Sequence, residues 1–221
     1  MVSLALSLVA SSMVVRSVQV LQRAKADLAR SETEYALAGA HLQAAAVIVR
    51  SGIAGPYHWT ATTSVGWVEA LAEPEAEKLS LDAASSLDDG LLNRFGVADP
   101  ARLRLALAEA AATDEAPDIG ALDPAPLWRA CAASLLSRYG EAQTYTFAPR
   151  SEPGMGPKPA SWHIGEAWRI RITTAAGWRD DRIVRFTGDA RHPAAVVVRR
   201  LSRGVGEAGQ CDRVLAEVSS A

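Results

Sequence analysis

No proline occurs before Pro56, and no glycine lies between Met1 and Gly39. A chain that runs so far without a residue that breaks or loosens a helix reads as one continuous helix, here from Val2 to about Val49. At about 1.5 Å per residue such a helix is roughly 70 Å long, several times the ordinary globular length. A small domain cannot enclose it, so the remainder of the chain must be attached to it as to a stem.

Charge enters this stem along its length. Residues Val2 to Val15 (VSLALSLVASSMVV) hold no ionisable side chain; Arg16 is the first, followed by Arg23, Lys25, Asp27, Arg30, Glu32 and Glu34. A spanning helix needs about 20 apolar residues, and 14 also suits a core helix or the apolar segment of a signal peptide. A cleavable signal fits poorly, because no basic residue precedes the apolar run and no small-residue cleavage site with a turn follows it. Val15, Val18 and Leu21, then Leu28, Tyr35, Leu42 and Val49 at heptad-like steps, make an apolar seam flanked by Arg, Lys, Glu and Gln. Two readings share this pattern: a coiled-coil or core helix, and a membrane anchor with an amphipathic extension.

The whole chain of 221 residues carries a formal net charge of -2, which argues against bulk nucleic-acid affinity. The average hides a segregation. Between Gly66 and Ala125 there are 13 acidic and 4 basic residues, whereas Ser161 to Arg203 holds 4 acidic and 9 basic ones. Cys131 and Cys211 are the two cysteines. A bridge between them would close a loop of about 80 residues, worth ~4 kcal/mol on a loop-entropy argument. The alternative is that Cys131 is a small buried apolar residue on one helical face with Leu127 and Leu135.

Five segments follow along the chain. The stem, 1–52, ends at Ser51-Gly52, with Gly55-Pro56 as a further breaker. Residues 53–81 change period: Tyr57 to Thr62 and Gly66 to Leu71 alternate as a hairpin, the second strand running on toward AEPEAEKLSL with Pro74 at an edge or bulge. Residues 82–140 read as a small helical subdomain. Its first helix, LDDGLLNRF, is capped by Ser85 or Ser86 and stopped by Gly96. Its second starts at Asp99-Pro100 with Leu103 and Leu107 on one face, and its third runs from Ala125 to Tyr139, stopped by Gly140. Residues 141–203 hold a possible strand at Glu141–Phe147, a Pro/Gly linker at 149–160, and three antiparallel strands around Trp168–Thr173, Arg182–Phe186 and Ala194–Leu201. Residues 204–221 are expected to be a flexible tail. The fold class is therefore α+β: a long N-terminal helix on an antiparallel sheet that a small all-α domain interrupts in sequence.

Catalytic signatures do not accumulate. His41, His58, His163 and His192 fall in four separate elements, HxxxH, HExxH and CxxC are absent, and no Gly-x-Ser-x-Gly elbow occurs. No catalytic, cofactor-binding or metal-ligating residue is assigned, and an enzymatic role is not expected. Glu73, Glu75, Glu77, Asp82, Asp88 and Asp89 offer oxygen ligands of the kind calcium takes, without EF-hand spacing; solvated surface charge is the plainer reading, and calcium is left unassigned. The segment LLNRFGVADPARLRLALAEA has the shape of a helix-hairpin-helix, but its turn, Gly96-Val97-Ala98, lacks a second Gly. Asp88, Asp89 and Asp99 around it would repel a phosphate backbone. No nucleic-acid partner is expected.

Three stretches carry a resemblance across most of the chain. QRAKADLARSETEYALAGAHLQAAAVIV, EKLSLDAASSLDDGLLNRFGV and WRIRITTAAGWRDDRIVRFTGDARHPAAVVVRRLSR, in this order, resemble the K-type minor pseudopilin of type II secretion systems. Leu81-Asp82-Ala83-Ala84 stands where that family has a Leu-Asn-x-Ala motif. The resemblance implies a pilin-like fold with a helical insert, a single-pass inner-membrane anchor with the bulk of the chain in the periplasm, and a non-enzymatic place at the pseudopilus tip. The implied partners are the I- and J-type minor pseudopilins and the major pseudopilin, met through the N-terminal helix. The family's basic leader, cut after a Gly, is not found before Val2, and about ten apolar residues of its helix are absent, so the chain is expected to start late. The alternative is a type IV pilus minor pilin or another membrane-anchored periplasmic binding protein.

Overall fold

A computed structural model describes residues 2–53, 55–113, 117–143, 163–189, 191–203 and 211. It is a mixed helix-and-sheet protein in which a long N-terminal helix packs on an antiparallel sheet. Helix α1 spans Val2–Ser51 and ends where Gly52 takes a left-handed φ of 62°. The sheet contains β1 (Tyr57–Thr63), β2 (Gly66–Pro74), β5 (Ala167–Thr174), β6 (Trp178–Phe186) and β7 (Ala194–Arg203), in that spatial order and antiparallel throughout. Between β2 and β5 in sequence lie α2 (Asp89–Arg94), α3 (Pro100–Ala112) and α4 (Pro126–Leu135), together with the two-residue strands β3 (Leu79–Ser80) and β4 (Leu136–Ser137), which pair in parallel.

Two apolar cores result. In the first, Leu37, Ala40, Ala44, Ala45 and Ile48 of α1 lie on Val68, Ala70 and Ala72 of β2, Trp168, Ile170 and Ile172 of β5, and Val184 and Phe186 of β6. The strand residues alternate, as strand geometry demands of a face turned toward a helix. Small Ala side chains on α1 let the helix sit close to the sheet, while Trp168 and Phe186, with ring centroids 6.0 Å apart, fill the space beneath. The second core gathers Leu91, Leu92, Phe95, Leu103, Leu107, Trp128, Cys131 and Leu135 from the three short helices with Leu79, Leu81 and Leu136. Trp128 donates its indole N–H to the Ile119 carbonyl at 3.0 Å, so its polar edge is satisfied inside that core.

Several boundaries differ from the sequence reading. The cap of α2 is Asp88, whose carboxylate accepts from Leu91 N at 2.8 Å, because Ser85 and Ser86 belong to a preceding 3-10 turn, Asp82–Ser86. The Asp99-Pro100 start holds: Asp99 accepts from Arg102 N at 3.0 Å. Helix α4 ends at Leu135 rather than Tyr139, since Leu136 and Ser137 leave the helix to pair with β3. Gly140 is therefore no helix stop. It is required by close approach, for a Cβ there would come within 2.4 Å of the Lys78 carbonyl oxygen. Pro74 is the last residue of β2, opposite Trp168 of β5 and beyond the end of β1, whose pairing with β2 stops at Ala72, so it holds a locally open edge position as the sequence suggested. Of the strand expected at Glu141–Phe147, Ala142 makes an isolated bridge to Leu79 and residues 144–147 lie outside those described, as does the 149–160 linker. Of the tail, Cys211 alone is described; it is buried in the helical core that also holds Cys131.

Candidate functional site

The stem meets its own sheet with only one end. Every residue from Met13 to Glu32 is exposed, and burial begins at Leu37. At 100° per residue Leu37, Ala40, Ala44 and Ile48 share one face, which is the face that packs. The heptad seam read from the sequence lies roughly opposite. Leu28, Tyr35 and Leu42 are 61%, 80% and 63% exposed, and Val15, Val18 and Leu21 are exposed as well, as is Val14, one heptad before Leu21. The seam is thus corrected as a packing surface for this domain: tertiary burial selects a face of small Ala residues, and the large apolar side chains at seven-residue steps are left outward. Val49, where the seam drifts round toward the sheet, is partly buried.

This outward seam runs from Val14 through Leu21, Leu28 and Tyr35 to Leu42. Three residues beyond the first four stand Ser17, Ala24, Ser31 and Ala38, so each large side chain is followed by a small one on the same stripe. Large and small positions alternating at heptad spacing suit a second helix packed lengthwise at close range. An exposed pair, Arg30 Nε to Glu34 Oε1 at 3.0 Å, lies on the opposite side of the helix from this seam. No helix among the described residues is long and apolar enough to cross a membrane.

The acidic residues of the 69–89 stretch take different parts. Glu75, fully buried, bonds Arg169 Nε at 2.9 Å and also engages the Lys78 ammonium and the Ser137 hydroxyl. Lys78 in turn donates to the Ala133 carbonyl at 3.0 Å and lies 3.8 Å from Glu73. Burial alone would raise the Glu75 carboxyl, but Lys78 and Arg169 hold it below the ordinary carboxylate range. Asp181 behaves alike: burial is outweighed by Arg169, Arg171 and Arg179. Glu73 and Glu75 are therefore not solvated surface charge. They tie β2 and β5 to α4 and β4, at the seam between the two cores. Asp88 caps α2, and Asp89 bonds Arg104 Nη2 at 2.6 Å. The one sequence hint was the Glu75-x-x-Lys78 spacing beside a strand whose arginines alternate.

The histidines remain apart. His41 is buried between α1 and the sheet with Nε2 3.6 Å from Asp180 Oδ2, and neither ring nitrogen has a hydrogen-bond partner. Burial, then the Arg182 charge, push its pKa down to about 4. His58 contacts Glu69 Oε1 at 2.7 Å and His192 contacts Asp189 Oδ2 at 3.3 Å, both at the surface. Among the described residues no three His, Cys, Asp or Glu side chains converge as metal ligands would. Neither a protein-family model, nor a curated protein, nor a solved structure matches the chain.

Proposed function

We propose that the chain is a structural assembly protein, a K-like minor pseudopilin of a type II secretion pseudopilus, and that the outward seam of α1 is where it meets other stems. The observation that carries this reading is the projection of α1 beyond its sheet with Leu21, Leu28, Tyr35 and Leu42 exposed at seven-residue steps. A helix with no cover over some 20 residues has little intrinsic stability in water, and lengthwise packing against like helices supplies what its own domain does not. The uncharged Val2–Val15 end supports attachment at the inner membrane, with the sheet and helical segment in the periplasm. The helical segment, an insert between β2 and β5 of a pilin-like sheet, gives the bulk that hinders addition of a further subunit above it, as a tip position requires. Partners are the I- and J-type minor pseudopilins and the major pseudopilin.

The test is genetic and then chemical. Deleting the gene should abolish type II export while leaving other envelope functions intact. Cysteine pairs placed at Leu28 and Tyr35 should cross-link to minor pseudopilins in the inner-membrane fraction. Normal secretion in the deletion strain would sink the proposal.

A further inference from the structure

The face of the sheet away from α1 carries a cleft that has no part in the assembly proposed above. Where the segment from Pro117 to Arg138 lies over β6 and β7, two adjoining cavities of about 250 and 410 Å³ open, with Asp118, Asp181 and Arg200 bordering both. Arg138, Arg169 and Arg199 line the first, and Arg129 and Arg179 the second. Guanidinium groups thus outnumber carboxylates around the cleft by a wide margin.

Arg169 is held from outside the cleft by Glu75, at 2.9 Å from its Nε, and Arg199 lies 3.4 Å from Asp180, so the cleft's own carboxylates are left chiefly to Arg179 and Arg200. Asp181 is shared by Arg169 Nη1 at 3.4 Å, Arg171 Nε at 3.5 Å and Arg179 Nη2 at 3.5 Å. Charge-assisted N–H···O bonds run nearer ~2.8 Å, so all three are long. One carboxylate offers roughly four acceptor positions, whereas each guanidinium brings about five N–H donors. The buried Nε of Arg171 has no hydrogen-bond partner. Burial, and after it the like charge of Arg171, push Arg179 down from the ordinary guanidinium value, a sign of crowded positive charge. Asp118 is engaged by Arg200, and Arg129 stands exposed on α4 at the rim.

We propose that this cleft is a binding site for a small oxyanion of the phosphate type. Tetrahedral oxygens entering beside Asp181 would give Arg129, Arg179 and Arg200 the bidentate acceptors that planar guanidinium forks fit best. Nothing covalent is involved, and the site stands independently of any role in secretion.

Inorganic pyrophosphate is the probe, titrated calorimetrically into the full chain with ionic strength held constant by chloride. Saturable one-site binding is expected, with a matching rise in Tm. The exposed variants Arg129→Ala and Arg200→Ala should each weaken binding about tenfold. Asp118→Asn removes a rim carboxylate and releases Arg200, so it should tighten binding roughly threefold. These three positions lie at the surface, and circular dichroism will verify that each variant folds. Heat no greater than that of chloride, or affinities in which the arginine and aspartate variants do not move in opposite directions, would overturn the proposal.

Discussion

Glu75 shows how one buried charge can hold an architecture together. Its carboxylate faces an ammonium, a guanidinium and a hydroxyl, and removing it leaves two buried cations with only longer ion pairs, Lys78 to Glu73 at 3.8 Å and Arg169 to Asp181 at 3.4 Å. Glu75→Ala should therefore cost about 3–5 kcal/mol in urea unfolding, whereas Glu34→Ala, which breaks the exposed pair with Arg30, should cost about 0.5 kcal/mol or less. Acid should act in two windows. The folded pKa of His41 is depressed to about 4 from 6.5, so the unfolded chain binds more protons between those values. The contribution is full above pH 6.5 and is lost as pH falls toward 4, by ~3 kcal/mol. Glu75 and Asp181, also depressed, add a loss that begins as pH enters the ordinary carboxylate range, where the unfolded chain takes up protons first, and continues below it. His41→Leu should flatten the first window and leave the second, as read from Tm against pH. The ring is fully replaceable in this respect because neither nitrogen makes a hydrogen bond, and Asp180 keeps Arg182 Nε at 3.0 Å.

At the scale of the element, α1 has two halves with different dependencies. Leu37 and Ile48 are fully buried against the sheet, so Leu37→Ala or Ile48→Ala should destabilise the isolated chain by about 2–5 kcal/mol. Leu28→Ala and Leu42→Ala should change monomer stability by less than about 0.5 kcal/mol, and the proposed role makes them costly only in assembly. Amide exchange should follow the same division, rapid over residues 13–32 and protected over 37–48, in the chain alone. Addition of the right partner should slow the first half. The length of α1 and its end at Gly52 were legible in the sequence because breakers act locally, through φ and the missing N–H. Which stripe is buried was not legible. Periodicity marks where large apolar side chains recur, but the sheet selected Ala40, Ala44 and Ala45, whose small size permits close approach.

Across the whole molecule, two cores meet at a polar junction rather than through continuous apolar packing. Trp128→Ala empties the centre of the helical core and should cost about 3–5 kcal/mol. Hydrogen exchange should then rise over Leu79–Leu136 while Trp168–Phe186 stays protected, because the second set packs on α1 and not on Trp128. The strand pairings β1 with β2 and β5 with β6 followed from alternation and from turns such as Ala176-Gly177, where Gly177 has a φ of 78°. The pairing of β2 with β5 spans more than 90 residues of chain and left no local trace.

The sequence by itself determined what backbone chemistry and short-range spacing can enforce: one long unbroken helix, its end, the Asp99-Pro100 start of α3, the alternating strands and an α+β class. The tertiary structure alone decided that β3 and β4 pair and cut α4 short, that Glu75 and Asp181 are buried among cations, and that the large apolar seam of α1 faces outward. Those outcomes depend on which distant segments share space. Burial and ion pairing are set by three-dimensional proximity, whereas helix breakers, caps and alternation act within a few residues.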